Sequence, residues 1–246
     1  MRKILVLGAT STIAQEVERL FAKEGSALLL VARSEERLAA LKADLLVRGA
    51  NEVHTFAADL QDIRRHIEIL EWAKNCCADF DTVFLAYGTL GSQEECERCV
   101  ELMVQELYTN FVSAAALLTV FVNHFAERRS GCIAAITSVA GDRGRRSNYV
   151  YGAAKGGLSL FLQGLRGRLY PNSVRVITIK PGPVKTAMTD HMQRTGMFAD
   201  VGKVARDIHK TLKGGSREIL YTPWQWRYIM LVIRFIPERL FKRIAL

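Results

Sequence analysis

The segment VLGATSTIAQEVERL, residues 6–20, places a short polar loop between an apolar run and an amphipathic stretch. The apolar run predicts a buried strand, and the residue pattern after the loop predicts a helix that begins near Thr12. A loop at the carboxyl end of a parallel strand, followed by a helix N-terminus, can bind a pyrophosphate through backbone N–H groups. Dinucleotide-binding loops usually have three glycines here, whereas this loop has Gly8 and then Thr12 and Ala14. By itself, the loop is equally consistent with cofactor binding and with an ordinary strand-to-helix turn.

The same alternation of apolar runs and helical-period segments continues along the 246-residue chain. Strands are predicted at 3–8, 27–32, 52–59, 81–88, 131–138, 174–182 and 217–223, and helices at 12–24, 34–48, 61–75, 94–129 (one helix or two), 149–169 and 200–213. Strands that are apolar throughout are buried on both faces, so the pattern predicts a parallel sheet covered by helices on both sides. We therefore expect a single α/β domain with a doubly wound parallel sheet over residues 1–223. A basic, aromatic-rich amphipathic helical tail is predicted over 224–246.

The composition is that of a globular protein with free thiols, with 49% hydrophobic and 24% charged residues. The five cysteines are odd in number and irregularly spaced, which argues against a disulfide framework and favours a reducing cytoplasmic compartment. Cys96 and Cys99 lack a second ligand pair, so we predict no metal site and expect them to be neighbours on a helix. The apolar run near the N-terminus is too short for a signal peptide. No stretch is expected to approach the ~18 apolar residues of a membrane-spanning helix.

The segment ITSVAGDRGRRSNYVYGAAKGG, residues 136–157, has the residue types that carbonyl reduction requires. Tyr151 and Lys155 are one helical turn apart on the same face, and Ser138 ends the predicted strand before them. The oxygen of a reduced ketone needs a proton, but a tyrosine with a pKa of about 10 is a weak acid–base group at neutral pH. A lysine ammonium ~4 Å away would favour the phenolate by about 4 kcal/mol, or about three pKa units before desolvation opposes it. Ser138 can donate a hydrogen bond to the same substrate oxygen.

Together these segments resemble the short-chain dehydrogenase/reductase family over nearly the whole chain. The resemblance rests on the loop 8–14, on Ser138, on the Tyr151-Gly-Ala-Ala-Lys155 motif and on the Pro181-Gly182 turn after the next strand. It implies a Rossmann fold and an NAD(P)H-dependent oxidoreductase that interconverts CH–OH and C=O, assembled as a homo-oligomer through its long helices. It implies catalytic roles for Ser138, Tyr151, Lys155 and Asn110, the last of which supports a proton-relay water. It implies cofactor contacts at Gly8, Thr10, Ser11, Thr12, Ile13, Arg33, Asp59, Leu60, Ala86, Gly88, Tyr151, Lys155, Pro181, Gly182, Val184 and Thr186.

The residues after the second predicted strand favour NADP(H) over NAD(H). Folds that bind NAD usually place an acidic residue here to bond the ribose 2′-hydroxyl, whereas this chain has Ala32-Arg33-Ser34. A guanidinium pairs well with a 2′-phosphate, so Arg33 is predicted to bind that group. The alternative is a solvated arginine at the start of a helix. The chain also departs from the family at the fourth strand, where Asn-Asn-Ala-Gly is replaced by residues 85–88, LAYG. This replacement removes polar side chains that normally brace the strand.

Three segments are similar to one subgroup of the family, the decaprenylphosphoryl-2-keto-erythro-pentose reductases. They are GDRGRRSNYVYGAAKGGL (141–158), KPGPVKTAMTDHM (180–192) and WRYIMLVIRFIPERLFKRIAL (226–246). The similarity implies reduction of a polyprenyl-phosphate-linked keto-pentose during cell-envelope (cell-wall) polysaccharide biosynthesis, with a flavin oxidase as the partner that makes the keto group. The alternatives are a reductase of a soluble ketone, acyl chain or steroid, and a catalytically silent NADP-binding scaffold.

The net charge of +9 favours anionic partners. The tail, 224–246, interleaves aromatic and aliphatic residues with five cations against the single acid Glu238, and Pro237 is predicted to divide two short helices. This composition favours contact with the inner face of the cytoplasmic membrane by a peripheral cytoplasmic protein. The alternative is a helix that packs on the domain or on a second subunit. Nucleic acid is not expected, because no binding motif accompanies the charge.

Three arginines, Arg143, Arg145 and Arg146, lie between Ser138 and Tyr151. They are consistent either with a solvated loop or with a binding site for a substrate phosphate.

Overall fold

The computed structural model describes residues 1–190 and 197–244. The histidine and methionine at 191 and 192, which belong to one of the segments quoted above, and the tail residues 245–246 lie outside the described residues.

Seven strands form one sheet: β1 (Lys3–Leu7), β2 (Ala27–Ala32), β3 (Glu52–Ala57), β4 (Thr82–Leu85), β5 (Gly131–Ile136), β6 (Val174–Pro181) and β7 (Ile219–Thr222). The helices are α1 (Thr12–Ala22), α2 (Glu35–Val47), α3 (His66–Cys76), α4 (Gln93–Arg98), α5 (Val100–Leu107), α6 (Ser113–Arg128), α7 (Tyr149–Leu169), α8 (Val201–Lys213), α9 (Trp226–Phe235) and α10 (Glu238–Phe241). A π-helical turn, Tyr108–Val112, joins α5 to α6.

The sheet is parallel throughout, with the strand order β3-β2-β1-β4-β5-β6-β7. The central strands are buried on both faces, because one hydrophobic cluster fills the space under α1, α2 and α8 and a second fills the space under α3, α6 and α7. This arrangement confirms the predicted doubly wound fold. It brings the loops after the strands to a single edge of the sheet, where ligands bind in folds of this class.

Several strands end earlier than the apolar runs predict, and the register explains where. Leu7 of β1 pairs with Leu85 of β4. The last pairs of β4 join Leu85 to Leu7 of β1 and to Ala135 of β5; β1 turns away at Gly8, and residues 86–88 are loop instead of strand. The shortening exposes these backbone segments to the cavity described below.

The predicted helical region 94–129 is not continuous. Cys96 lies in α4 and Cys99 lies between α4 and α5, so the two cysteines do not share one helix as expected. In the described part of the chain all five cysteines are free, and no cluster of metal-ligating side chains occurs there.

By length and composition alone, Val100–Arg128 could cross a membrane, which contradicts the expectation that no stretch approaches that length. Its α6 part instead packs against the sheet as a core helix, since Leu117, Phe121 and Phe125 are completely buried in the hydrophobic cluster there.

The tail folds back on the domain as two short helices divided at Pro237, as predicted. Trp226 and Met230 of α9 are buried in a third cluster, against Val139 in the turn after β5. One face of the tail is therefore already used in packing on its own chain.

Candidate active site

One cavity of about 650 Å³ lies at the carboxyl edge of the sheet. Every residue that the sequence predicts to act in catalysis or cofactor binding lines it, contributed by the loops after β1 to β6 and by α7. The lining also includes side chains to which the sequence analysis assigns no role in catalysis or cofactor binding; those that matter below are Arg37, Tyr87, Thr89, Asn148 and Trp226.

The loop after β1 has the geometry of an anion cradle. Gly8 adopts a φ of +91°, and a Cβ at this position would lie 2.7 Å from the Cβ of Tyr87, so only glycine fits. Ser11 is the N-cap of α1, and its hydroxyl accepts a hydrogen bond from the backbone N–H of Ala14 at 3.3 Å. The N-terminus of α1 therefore faces the cavity behind a loop with one glycine, and these residues fit a pyrophosphate.

Arg33 and Arg37 are both exposed at the end of the cavity beside β2. The guanidinium of Arg37 donates to the carbonyl oxygen of Thr10 at 3.1 Å, which ties it to the loop after β1. The sequence argument missed Arg37; the available signal is its position one helical turn after Arg33, in the first turn of α2. Two guanidinium groups at this end fit a ribose 2′-phosphate.

The end of β4 is braced by a different pair of groups from the one that the family uses. The hydroxyl groups of Tyr87 and Ser113 lie 2.8 Å apart, and Ser113 also donates to the carbonyl oxygen of Thr109 at 3.2 Å. Burial raises the pKa of Tyr87, so the phenol stays neutral in this contact. The expected loss of bracing is therefore wrong, because a tyrosine hydroxyl reaches across to α6 and replaces the missing amide.

Gly88 brings two predicted catalytic groups together. A Cβ at this position would lie 2.6 Å from Oδ1 of Asn110 and 2.9 Å from Nζ of Lys155. Any larger residue would push these groups apart, so the glycine permits their close approach.

Tyr151 and Lys155 occupy adjacent turns of α7, and Ser138 follows β5. The ammonium of the buried Lys155 lies 5.8 Å from the ring centroid of Tyr151 and 3.4 Å from the carbonyl oxygen of Ile136. The Tyr151 hydroxyl is hydrogen-bonded to Ser138, whose Oγ also accepts from the backbone N–H of Ala140 at 3.1 Å. The three side chains thus converge on one point of the cavity.

The expected fall in the pKa of Tyr151 does not occur in the structure. Burial raises this pKa to about 12, although the hydrogen bond from Ser138 opposes the rise. Burial also lowers the pKa of Lys155 to about 8, and the nearby carboxylate of Glu106 opposes that fall. Burial of the phenol, supplemented by the negative charge of Glu106, therefore sets the direction of this shift, which the residue spacing alone could not reveal.

Asn110 lies in the π-helical turn and is buried. Its amide nitrogen donates to Oγ1 of Thr89 at 3.1 Å and to Oε2 of Glu106 at 2.9 Å, and its oxygen accepts from the N–H of Thr89 at 3.1 Å. Glu106, one turn before Asn110, is a second side chain that the sequence argument missed. The proton-relay role of Asn110 stays a prediction.

Arg143 does not face a substrate, and the phosphate-binding alternative is wrong for this residue. Its guanidinium donates to the carbonyl oxygens of Ile233 and Ile236 and to a carboxylate oxygen of Glu238 at 2.9 Å, and it lies 3.9 Å from the ring centroid of Phe241. The residue therefore binds the end of α9 and the start of α10 to the loop between Ser138 and Tyr151.

The tail also forms part of the cavity wall. Trp226 lines the cavity, and a Cβ at Gly182 would overlap its indole. The turn after β6 can approach the tail this closely because residue 182 has no side chain.

Comparisons with known proteins agree with this geometry. A family model described as short chain dehydrogenase matches residues 2–196. An uncharacterized oxidoreductase of Mycobacterium tuberculosis is 32% identical over 240 residues, which cover 98% of this chain and 96% of that protein. The ketoacyl reductase HetN of Nostoc is 26% identical over 89% of this chain and 78% of its own length. A short-chain dehydrogenase from Burkholderia cenocepacia, solved in complex with NADP, is 19% identical and shares the fold over the full length of both chains with a TM-score of 0.82.

Proposed function

The chain belongs to the short-chain dehydrogenase family of NAD(P)H-dependent oxidoreductases, and from this premise we propose that it is an NADPH-dependent reductase of a ketone. The observation that carries the proposal is the convergence of Ser138, Tyr151 and Lys155 on one point of the cavity. When bound, the cofactor supplies the hydride.

The protonation state of Tyr151 favours the direction of reduction. With a pKa of about 12, the phenol holds its proton at neutral pH and can donate it to the oxygen of a ketone as that oxygen becomes an alkoxide. Ser138 orients the same oxygen by a hydrogen bond. Lys155, whose pKa is about 8, is mostly charged at neutral pH and can return a proton toward the phenol.

The test compares two tyrosines of the same helix. Tyr151→Phe should lower ketone-dependent NADPH oxidation by at least ~100-fold, a typical contribution of general acid catalysis, while NADPH binding measured by cofactor fluorescence persists. Tyr149→Phe is the matched control, because Tyr149 begins α7 and is exposed. Full turnover by the Tyr151 variant would refute the assignment. NADPH binding by the wild type without turnover of any ketone would support the scaffold alternative.

The cofactor preference is proposed to rest on Arg33 and Arg37. A charge-assisted hydrogen bond contributes about 1.5–3 kcal/mol, so replacing both arginines with alanine should raise the KM for NADPH by more than ~10-fold. The KM for NADH, which lacks the 2′-phosphate, should change little and provides the internal control. Equal changes for the two cofactors would contradict the proposal.

For the substrate, we propose a lipid-linked keto-pentose that meets the enzyme at the inner surface of the cytoplasmic membrane. The tail supports this, since its inner face lines the cavity through Trp226 while its outer face exposes Trp224, Tyr228, Leu231, Val232 and Phe235. Exposed cations at Arg227, Arg234, Arg239, Lys242 and Arg243 suit anionic lipid headgroups. A flavin oxidase that makes the keto group is the partner implied by this substrate.

The membrane proposal is tested on the outer face alone, because truncation before Trp224 would also remove the cavity wall. Replacing Trp224 and Phe235 with glutamine should abolish flotation with anionic liposomes and leave NADPH binding unchanged. Unaltered flotation of this double variant, or equal flotation with neutral liposomes, would count against it. The substrate is tested with a polyprenyl-phosphate keto-pentose and NADPH, with the product identified by mass spectrometry.

A soluble or acyl-chain ketone is the second candidate, supported by the similarity to the Nostoc ketoacyl reductase. The two candidates differ in the expected effect of the outer-face variant. It should slow turnover of a membrane-borne ketone and have no effect on a soluble one.

The chain is also proposed to form a homo-oligomer through its long helices. Exposed apolar side chains support this proposal on the α5–α6 segment at Val100, Leu102, Val104 and Val112, and on α7 at Leu160. Light scattering coupled to size exclusion should give a mass above 27.6 kDa, and Leu160→Lys should lower it. A monomer in the wild type would exclude the proposal.

A further inference from the structure

The part of the cavity beyond the catalytic tyrosine contains two buried polar atoms without a partner. They are Nε of Arg145 and Oδ1 of Asn148, and both residues line the cavity. The two lie in one tight turn, because the backbone N–H of Asn148 donates to the carbonyl oxygen of Arg145 at 3.1 Å. An unpaired donor and an unpaired acceptor therefore belong to the same turn, which immediately precedes the helix that carries Tyr151.

A partly buried guanidinium in this position is stabilised by a counter-ion. Burial lowers the pKa of Arg145, yet an arginine keeps its charge in proteins, so this half-buried group carries its charge at the cavity wall with its Nε shielded from water. Among the described residues that line the cavity, the acidic side chain is Asp59, which follows β3 and lies four strands from β5 in the sheet order. The protein itself does not neutralise Arg145 there.

The cofactor does not fill this role either. Its phosphates are expected at the loop 8–13 after β1 and near Arg33 after β2. In the sheet order β1 is two strands from β5, a separation of about 10 Å, and β2 is farther. Arg145 lies in the loop between β5 and α7.

The other two arginines of the loop are excluded by their positions. Arg143 is fully engaged with the tail, and Arg146 is exposed and does not line the cavity. The three residues that the sequence could not tell apart are thus separated by the structure, and Arg145 alone of them lines the cavity.

The start of α7 adds to the positive potential at this point. Asn148 is the N-cap of this 21-residue helix and makes no side-chain cap hydrogen bond. The N–H of Val150 is not available to a ligand, because it already donates a hydrogen bond to Oε1 of Gln93 at 3.2 Å. The side chains of Arg145 and Asn148 therefore provide the contacts, and the helix dipole supplements their charge.

We propose that Arg145 and Asn148 bind a phosphate ester carried by the ketone substrate, a subsite distinct from the phosphate sites of the cofactor. The guanidinium matches phosphate oxygens in a bidentate geometry, and the Asn148 amide can present either its oxygen or its NH₂ to the same group. The inference rests on the proposed function, because it names the substrate class of that same cavity. It applies equally to a lipid phosphate and to a soluble phosphate ester.

The experiment measures binding, so it does not depend on turnover. The full chain is saturated with NADPH, which occupies the cofactor's own phosphate sites, and is titrated by calorimetry with methyl phosphate or with dodecyl phosphate below its critical micelle concentration. The wild type and Arg146→Met should bind both probes, and Arg145→Met should bind at least ~10-fold more weakly, as expected for the loss of a charge-assisted hydrogen bond. Tighter binding of dodecyl phosphate indicates a lipid-borne substrate, and equal binding indicates a soluble one.

Two results would overturn the proposal: equal affinity in the wild type and Arg145→Met, or no binding of either probe by the NADPH-saturated wild type. Tyr151→Phe should retain phosphate binding, because that residue acts on the ketone oxygen. If no ketone is reduced but the Arg145 effect is present, the proposed function fails while the subsite stands. If ketones are reduced without a phosphate preference, the function stands and the subsite fails.

Discussion

Replacing Arg143 with methionine should detach α9 from the catalytic domain. Methionine keeps an apolar stem but removes every hydrogen bond that the guanidinium donates to the tail. The carbonyl oxygen of Ile236 then loses its partner, that of Ile233 keeps only the 3.4 Å hydrogen bond from the N–H of Ile236, and Phe241 loses the cation above its ring. The prediction therefore concerns how firmly the tail is docked, separately from the chemistry of the cavity.

The magnitude follows from these contacts. An unsatisfied buried carbonyl costs about 1–3 kcal/mol, and a cation–π contact contributes about 0.5–2 kcal/mol. The Glu238 side chain is 79% exposed, so its ion pair adds little. Because water can reach part of this region, we take the lower end for one carbonyl and the ring contact together, about 1.5 kcal/mol. That value corresponds to a roughly 10-fold increase in the population with a detached tail.

Amide hydrogen exchange of α9, followed by mass spectrometry, measures that population directly. Protection of the α9 amides should fall by roughly 10-fold in Arg143→Met, while the strands of the sheet keep theirs. Arg146→Met is the matched control, because it removes an exposed arginine from the same loop. If α9 exchanges at the same rate in both variants, the reasoning about Arg143 is wrong.

Three further perturbations test other parts of the structure. Glu18 is fully buried with both carboxylate oxygens unpartnered, and burial raises its pKa. Its ionisation therefore destabilises the fold as the pH rises above about 4.5, the pKa of the unfolded state. In thermal melts, Glu18→Met should raise Tm near neutral pH but not in acid. Because the pKa of Lys155 is about 8, kcat should fall as the pH rises through that value. Glu106→Gln removes a carboxylate that raises the pKa of Lys155, so the fall in kcat should move to lower pH. Glu101→Gln, on the same helix but exposed, should leave the pH profile unchanged. A flat profile in the wild type would contradict this account. Gly182→Ala should displace the indole of the tail and raise the KM for the ketone, and an unchanged KM would show that the tail is not part of the substrate wall.

The fold was predictable because its signals are local. Each buried strand is apolar on both faces, and each helix has its own period, so the alternation along the chain indicates the doubly wound sheet directly. Strand ends were less predictable, because they depend on the neighbouring strand. Nothing in LAYG, residues 85–88, indicates that β4 ends at Leu85; the last pairs of the strand are with Leu7 of β1 and Ala135 of β5, both far away in the chain.

The site was predictable where residue spacing fixes the geometry. It was not predictable where burial or partners distant in the chain determine the position or the pKa of a side chain. Tyr151 and Lys155 lie together because one helical turn separates them. Arg143 and Arg145 look alike in sequence, and they differ because the carbonyl groups of α9, about ninety residues away, reach Arg143. The pKa of Tyr151 depends on how much water the folded chain excludes, a quantity that residue spacing does not contain.

The cavity is assembled from two separable sets of residues, and this separation has an evolutionary consequence. The loops after β1 to β3 are the proposed nucleotide end, whereas the turn after β5, Gly182 and Trp226 line the part of the cavity proposed for the ketone. Mutations that accumulate in the C-terminal helices can therefore change the shape of the proposed ketone-binding part of the cavity without changing the residues proposed to bind the dinucleotide. Paralogues with divergent tails could diversify in this way while they keep the same redox chemistry.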